Sequence, residues 1–447
     1  MTRRALVVGF GVSGRAVTRA LLQRGTHVTV VDDRPGADTR AVAADLGVEL
    51  VEAPGRDALA GLVAGVDLVV PSPGVRFDHP VFALASEAAT AVRGELELAS
   101  QWAGRPFVAV TGTNGKTTVT TLVTEMLLAS GVRAVAAGNI GLALSDAVSS
   151  DADVLVVEAS SFQLQLTDTF RPTISVWLNA APDHLDIHGT FAAYTAAKAR
   201  IWANQGDGDV AVVNADDAVV TQAARSAHAG RVVTFGRDHG DYHVSGGALR
   251  TPEGHEIATL AALGRVLPHE VSNALAASAA AISAGATVEG VHRALLDFRT
   301  LPHRLTLVGE AGGVQWYDDS KATNPHAALA AVDGFDSVVL IAGGQNKGLD
   351  LRALTQSADR VRAVVAIGEA AAEVEVAFRA VRPVERAGSM RDAVSRAAAL
   401  ARPGDAVLLS PGCASFDWYD SYSARGDDFA RAVRELFDDE GAHGRAG

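Results

Sequence analysis

At 447 residues the chain has room for about three domains, and 48% hydrophobic with 20% charged residues is an ordinary globular balance. A formal net charge of −13 argues against non-specific nucleic-acid binding and against anionic membrane surfaces, and no apolar run reaches the roughly 18 residues of a membrane span. A single cysteine, Cys413, excludes an intrachain disulfide and points to a reducing cytoplasm. The glycine-broken apolar start has no small-residue cleavage site and does not read as a signal peptide. A monomer is the expected state. Of the 39 basic residues only four are lysine, Lys116, Lys198, Lys321 and Lys347, and the other 35 are arginine. Lysine is a compact point charge whose amine can be deprotonated, which arginine cannot match. All four lie in short, unusual motifs.

In chain order, residues 5–9, 27–32 and 68–71 spell buried parallel strands, with Val17, Leu21 and Leu22 on one face of an intervening helix. Gly9, Gly11, Ser13 and Gly14 join the first strand to that helix, and Asp32 follows about twenty residues on. Such glycines let a backbone approach a pyrophosphate, and the helix start favours an anion. The run fits NAD. It equally admits another nucleotide, with Asp32, Asp33 or Arg34 at its ribose, base or phosphate, or a tight turn with no ligand. Ser72, Pro73 and Gly74 form a second glycine turn on the same expected sheet edge.

The middle third predicts strands at 107–111, 153–158, 173–178, 209–214 and 231–235, a small antiparallel insertion within 236–263, and a helix at 273–285. Between the first of these strands and a helix striped by Val119, Leu122, Val123, Met126 and Leu127 stand Gly112, Thr113, Asn114, Gly115, Lys116, Thr117 and Thr118. This is a strand–loop–helix phosphate cradle, one that is shorter than the usual Gly-x-x-x-x-Gly-Lys pattern. Lys116 would reach the β- and γ-phosphates and Thr117 would ligate Mg²⁺. Glu158 ends the next strand, where a Mg²⁺ ligand belongs; without the cradle it would be an ordinary strand-end glutamate. The cluster at 183–189 offers His184 as a metal ligand, or is a loop of solvated polar groups. Lys198 reads locally as a surface lysine on a helix, and only its rarity argues otherwise.

The last third predicts strands at 314–317, 337–342, 363–367 and 406–409 in a third doubly wound unit. Three of these strands end in polar loops, carrying Lys321 and Thr323, then Lys347, then Ser415 and Phe416. Each loop could be plain, but three on one edge predict a binding face. The expected fold is α/β in three domains: a Rossmann-like domain at 1–95, a central P-loop-type ATPase domain with a mostly parallel sheet at 96–300, and a Rossmann-like domain at 301–447.

Together these motifs resemble the ATP-dependent Mur ligases of peptidoglycan synthesis, over residues 9–429. GTNGKTT marks the wider group that includes folylpolyglutamate synthetases. The GxGxSG turn, SSFQL, DSKATN, GGQNKG and SPGCASFDWYDSYSARGDDF narrow it to the branch that adds D-glutamate. The resemblance implies domains for a UDP-sugar, ATP and an amino acid, with UDP-N-acetylmuramoyl-L-alanine, ATP and D-glutamate as substrates. ATP would phosphorylate the substrate carboxylate, and the amine of D-glutamate would attack the acyl phosphate.

It also moves the first glycine turn from NAD to the UDP moiety, with Ser13, Asp32, Arg34, Ser72, Gly74, Asn139, Gln163 and His184 on that substrate. The loop from Gly112 to Thr118 would bind ATP, joined by Asn273 and Arg304. Thr117 and Glu158 would hold one Mg²⁺, and His184 with an N-carboxylated Lys198 a second. Lys321, Thr323, Lys347, Ser415, Phe416 and Tyr422 would receive D-glutamate. Lys116, His184, Lys198 and Lys321 would carry the catalysis.

Three residues depart from the family pattern. Glu270 stands in place of asparagine, Pro268 in place of glycine, where a local change of the loop is expected, and Tyr422 in place of phenylalanine. The alternatives are another Mur ligase, a folylpolyglutamate synthetase, or a non-catalytic nucleotide-binding protein. From a different class, an NAD-dependent dehydrogenase would leave Lys116 and the third domain without roles.

Overall fold

The computed structural model describes residues 3–226, 230–263 and 267–443. Contacts divide the chain into two compact units. The first comprises Met1–Ala180, Ala192–Val266 and Glu270–Asp297; the second comprises Ala181–Phe191, Leu267–His269 and Phe298–Gly447.

The first unit holds two parallel sheets. One runs in the order Glu49–Glu52, His27–Asp32, Arg4–Val8, Leu68–Pro71, Ala91–Val92. Its central strands are valine-rich and buried on both faces, as crossover helices require. Alternate residues feed separate cores: Ala5 and Val7 pack on one side, Leu6 and Val8 on the other. Strand order reverses between Arg4–Val8 and Leu68–Pro71, and ligands of doubly wound sheets bind beyond the strand ends at such a point.

The second sheet runs Arg231–Phe235, Val210–Asn214, Ile174–Trp177, Phe107–Thr111, Val154–Glu158, Ala134–Gly138. Phe107–Thr111 lies at its reversal, so the phosphate cradle opens where the topology favours a ligand. The expected insertion is a three-stranded antiparallel sheet of His243–Ser245, Ala248–Arg250 and Glu256–Thr259. The helix expected at 273–285 spans Pro268–Ser283, and Pro268 opens it. Proline suits a helix start because that position needs no N–H partner.

The sheet of the second unit runs Thr306–Ala311, Val314–Asp318, Ala406–Leu409, Val338–Gly343, Val361–Ile367, Val384–Arg386. Only the first pair is antiparallel. The strands that precede the three polar loops are adjacent, so those loops leave one edge together. No helix among the described residues is long and apolar enough to cross a membrane.

Candidate active site

The glycine turn after Arg4–Val8 floors a cleft of about 980 Å³. Gly9 takes φ +83°, and its carbonyl accepts from Ser72 Oγ at 2.7 Å. A Cβ on Gly14 would run into the Gly9 carbonyl, so only glycine lets the helix Val12–Gln23 pack this closely. Asp32 accepts from the backbone N–H groups of Phe10, at 2.8 Å, and Arg34, at 2.9 Å. Its carboxylate therefore shapes two loops at once. Of the eight residues expected on the UDP-substrate, Ser13, Asp32, Arg34, Ser72, Gly74, Asn139 and Gln163 line this cleft. His184 does not line it; it belongs to the second unit. Gln163 accepts through Oε1 from the N–H of Ser160 at 3.0 Å, which completes a capping box on the helix Ser161–Gln165.

The phosphate cradle joins Phe107–Thr111 to the helix Lys116–Ala129. Gly115 takes φ +84°, and any side chain there would strike the carboxamide of Asn273, which lies against the loop. Lys116 Nζ donates to the carbonyls of Gly112 at 3.0 Å and Thr113 at 2.9 Å. Thr117 and Thr118 occupy the first turn of the helix, where backbone N–H groups point at a bound anion.

Lys198 is not a surface lysine. It is 1% exposed, and its Nζ donates to the same Gly112 carbonyl at 2.7 Å. The ammonium also lies 4.6 Å from the ring centroid of Tyr194, whose hydroxyl bonds Thr113 Oγ1 at 3.1 Å. The helix Phe191–Ala199 is alanine on several faces, so its sequence shows no stripe to reveal which side is buried.

Glu158 ends the strand beside the cradle and is 2% exposed. Its Oε1 accepts from Asn139 Nδ2 at 2.9 Å, while Oε2 is buried without a hydrogen-bond partner among the described residues. A buried carboxylate oxygen left unpaired is costly, and a cation would satisfy it. One carboxylate and one threonine hydroxyl beside a phosphate loop suit Mg²⁺, which takes few protein ligands and completes its shell with phosphate oxygens and water. Among the described residues, no group of three or more His, Cys, Asp or Glu could hold a metal.

In the second unit, Lys321 places its ammonium 3.9 Å from the ring centroid of Tyr422. The backbone N–H of Thr323 donates to the Lys321 carbonyl at 2.8 Å. Lys347 pairs with Asp183, which also accepts from Asn324 Nδ2 at 3.1 Å. His184 follows in the left-handed region at φ +53°, with Nε2 3.8 Å from Asp183 Oδ2. Ser415 is buried and Phe416 exposed. Arg304 leads into Thr306–Ala311.

Several organising residues hold other groups in place. Asn179 accepts through Oδ1 from the N–H groups of Thr113 and Asn114, at 3.1 and 2.9 Å, and so buckles the phosphate loop. Its place just beyond the neighbouring strand was the only signal. Arg425, 1% exposed, donates to Ser320 Oγ at 2.9 Å and to the carbonyls of Cys413 and Ala414, each at 3.1 Å. It thereby staples two of the three polar loops, and burial pulls it down to about 10. Burial pushes the Cys413 thiol up to about 12, so it is no nucleophile.

Burial also pushes the Asp319 carboxyl up from 3.8 to about 7, against the hydrogen bond from Ser410 that holds it down. The folded state thus keeps a proton that the unfolded chain releases. The stability this contributes is full below about pH 4 and is lost as pH rises to about 7, at about 1.4 kcal/mol per pH unit. Asp319→Asn is expected to flatten that decline in urea midpoints measured across the same range. An identical slope in variant and wild type would show that Asp319 is not its source.

Three family models match in chain order. They are Mur ligase MurD-like, N-terminal domain at 3–94, Mur ligase middle domain at 110–281, and Mur ligase, glutamate ligase domain at 303–413. A UDP-N-acetylmuramoylalanine–D-glutamate ligase of Frankia casuarinae is 47% identical over 455 residues, covering 96% of this chain and 93% of that one. One of Desulfosudis oleivorans is 44% identical over 456 residues, covering 99% and 98%. Among solved structures, the UDP-N-acetylmuramate–alanine ligase of Thermotoga maritima superposes with a TM-score of 0.60 at 19% identity, covering 98% of this chain and 100% of that one. A MurF ligase of Thermotoga maritima in complex with ADP gives 0.59 at 16% identity, covering 97% and 99%. These two likenesses concern the fold alone. The full-length identity of the relatives and the three matched models together establish that the chain belongs to the Mur ligase family.

Proposed function

We propose that the protein is an ATP-dependent ligase that joins D-glutamate to UDP-N-acetylmuramoyl-L-alanine in the synthesis of peptidoglycan precursors. An oxygen of the alanyl carboxylate attacks the γ-phosphorus, and ADP leaves with the electron pair of the broken P–O bond. The deprotonated amine of D-glutamate then attacks the acyl carbon. The tetrahedral intermediate collapses, and inorganic phosphate departs as the amide forms.

The chemical difficulty is to bring a carboxylate to a triphosphate, since both are anions. Lys116 and the N–H groups at the start of its helix would take up the phosphate charge. Glu158 and Thr117 would hold a Mg²⁺, which when bound neutralises phosphate oxygens. Lys198 would serve as a carbamate, a cation turned into an anionic metal ligand, and His184 remains a metal-ligand candidate on its own unit. Arg304 and Asn273 would contact ATP. Lys321, Thr323, Lys347, Ser415, Phe416 and Tyr422 would take D-glutamate, whose two carboxylates suit two lysines. The assignment of 1–95 to the UDP-sugar, 96–300 to ATP and 301–447 to the amino acid belongs to the same reading.

The observation that carries the reading is Glu158. One of its oxygens is fixed by Asn139 on the cleft wall, and the other is left orphaned beside the phosphate strand. It links a cleft of nucleotide-sugar size to a phosphate loop. The test supplies Mg²⁺, ATP and UDP-N-acetylmuramoyl-L-alanine and measures phosphate release on adding D-glutamate, L-alanine, meso-diaminopimelate or glutamyl-folate acceptors. Release that requires D-glutamate is expected. Release with another acceptor instead, or none with D-glutamate, would defeat the proposal.

A further inference from the structure

The cleft at the glycine turn has two walls, and they come from different sheets. The near wall is the turn itself with Ser72, Pro73 and Gly74, at strand ends of the first sheet. The far wall is residues 138–141 and Gln163, at and beyond the ends of Ala134–Gly138 and Val154–Glu158 in the second sheet. The helix Glu95–Trp102 connects the two sheets along the chain, between Ala91–Val92 of the first and Phe107–Thr111 of the second. It carries two buried glutamates, Glu95 at 2% exposure and Glu97 at 0%. Two positions apart on a helix, they point to different sides of it.

Each glutamate grips one piece of the far wall. Glu95 Oε1 accepts from the N–H of Ser145 at 2.6 Å, on the helix Leu144–Ala147 that follows residues 138–141. Glu97 accepts from three consecutive backbone N–H groups, those of Asp168 at 2.9 Å, Thr169 at 2.9 Å and Phe170 at 3.0 Å. These lie in the segment that leaves the helix of Gln163. The Thr169 hydroxyl and Gln101 Nε2 also donate to Glu97, and among the described residues no cation pairs with it. A buried charge without a cation is costly, and only a full set of directional donors retains it. An apolar contact could bury the same helix; the carboxylate adds direction. From the near-wall side, Arg19 pairs with Asp146 at 2.9 Å, and the Arg24 guanidinium lies 4.0 Å from the ring centroid of Trp102. The N–H of Gly94, just before the helix, donates to the Leu166 carbonyl at 3.1 Å.

We propose that Glu97, with Glu95, is a positioning residue that holds the two walls at a fixed separation, so that the cleft takes the whole nucleotide-sugar and not its nucleotide alone. The inference rests on the reading above, in which the glycine turn takes the UDP moiety and Asn139 and Gln163 meet the same substrate. Neither glutamate lines the cleft, and at that burial neither is open to a ligand in it. Both act through the backbone segments they hold.

The test titrates the full chain by calorimetry with UDP, with UDP-N-acetylmuramoyl-L-alanine and with ATP. UDP needs one wall, and the whole substrate needs both. In Glu97→Gln an amide NH₂ meets backbone N–H groups, so an acceptor contact is lost. Affinity for the whole substrate should fall about tenfold, while affinities for UDP and ATP hold within about twofold. Glu95→Ala should act in the same direction. A joint that only stabilised the fold would lower the melting temperature and leave all three affinities alone. That result, or equal weakening of UDP and the whole substrate, overturns the proposal. If Glu97→Gln does not fold, Glu97→Asp, which keeps the charge but shortens its reach, decides by the same criteria. A wild type that binds the whole substrate yet releases no phosphate with D-glutamate sinks the ligase reading and leaves this comparison standing. A wild type that does not bind it overturns both.

Discussion

Lys198→Ala is expected to lower D-glutamate-dependent phosphate release by about two to three orders of magnitude, and formate or acetate is expected to restore part of it. The expectation starts from two ammonium groups on one oxygen. Lys116 and Lys198 both donate to the Gly112 carbonyl, and Lys198 does so from full burial. Like charges so placed repel, and carboxylation of one amine replaces repulsion by attraction. Only an amine can undergo that change; a guanidinium cannot. Removing the side chain leaves a space into which a small carboxylate fits, so chemical rescue separates an anionic role from a cationic one. Lys198→Arg keeps a cation and fills the space, so it should be inactive and beyond rescue. Rescue by none of the short acids would sink the carbamate, and full activity of Lys198→Ala would remove the residue from the site.

The second large effect is expected at Lys116. Lys116→Ala should cost about a thousandfold in ATP-dependent phosphate release. Affinity for the UDP-substrate should hold within about twofold, since Lys116 does not line the cleft at the glycine turn. Lys116→Arg should fare little better. The ammonium reaches two loop carbonyls from one point, and a planar fork of donors does not fit that geometry. Phosphate release and calorimetric binding of UDP-N-acetylmuramoyl-L-alanine, measured on the same preparation, check both halves. Equal loss of both would mean that the variant has lost its fold rather than its phosphate contact.

The strands that escaped the sequence reading share one property. Glu49–Glu52, Ala91–Val92, Ala134–Gly138, Thr306–Ala311 and Val384–Arg386 all lie at sheet edges. Edge strands are half-solvated and short, and these are polar, two or three residues long, or built of alanine and glycine, so no apolar run announces them. The buried central strands were legible to within a residue or two for the opposite reason. Site residues divide in the same way. Glycines and lysines at strand ends were visible because the chemistry demands those types at that spacing. Asn179 was not, because its role is to hold other groups. Arg425 lies within one of the quoted motifs, but its burial is what shows that it holds the loops. The local reading of Lys198 as a surface lysine fails because an alanine-rich helix gives no amphipathic signal, whereas the family resemblance places it in the site.

None of the four lysines is exposed: Lys198 is buried, and Lys116, Lys321 and Lys347 are partly buried. The described chain therefore offers an acylating reagent no side-chain amine outside the site motifs. Any lysine that such a reagent modifies must be one of the site motifs, so the rate of labelling at each position reports on that position's own surroundings. On the proposed function, nucleotide should protect Lys116 and the amino acid should protect Lys321 and Lys347, a footprint that is followed without mutating anything and that a lysine-rich surface would bury in background.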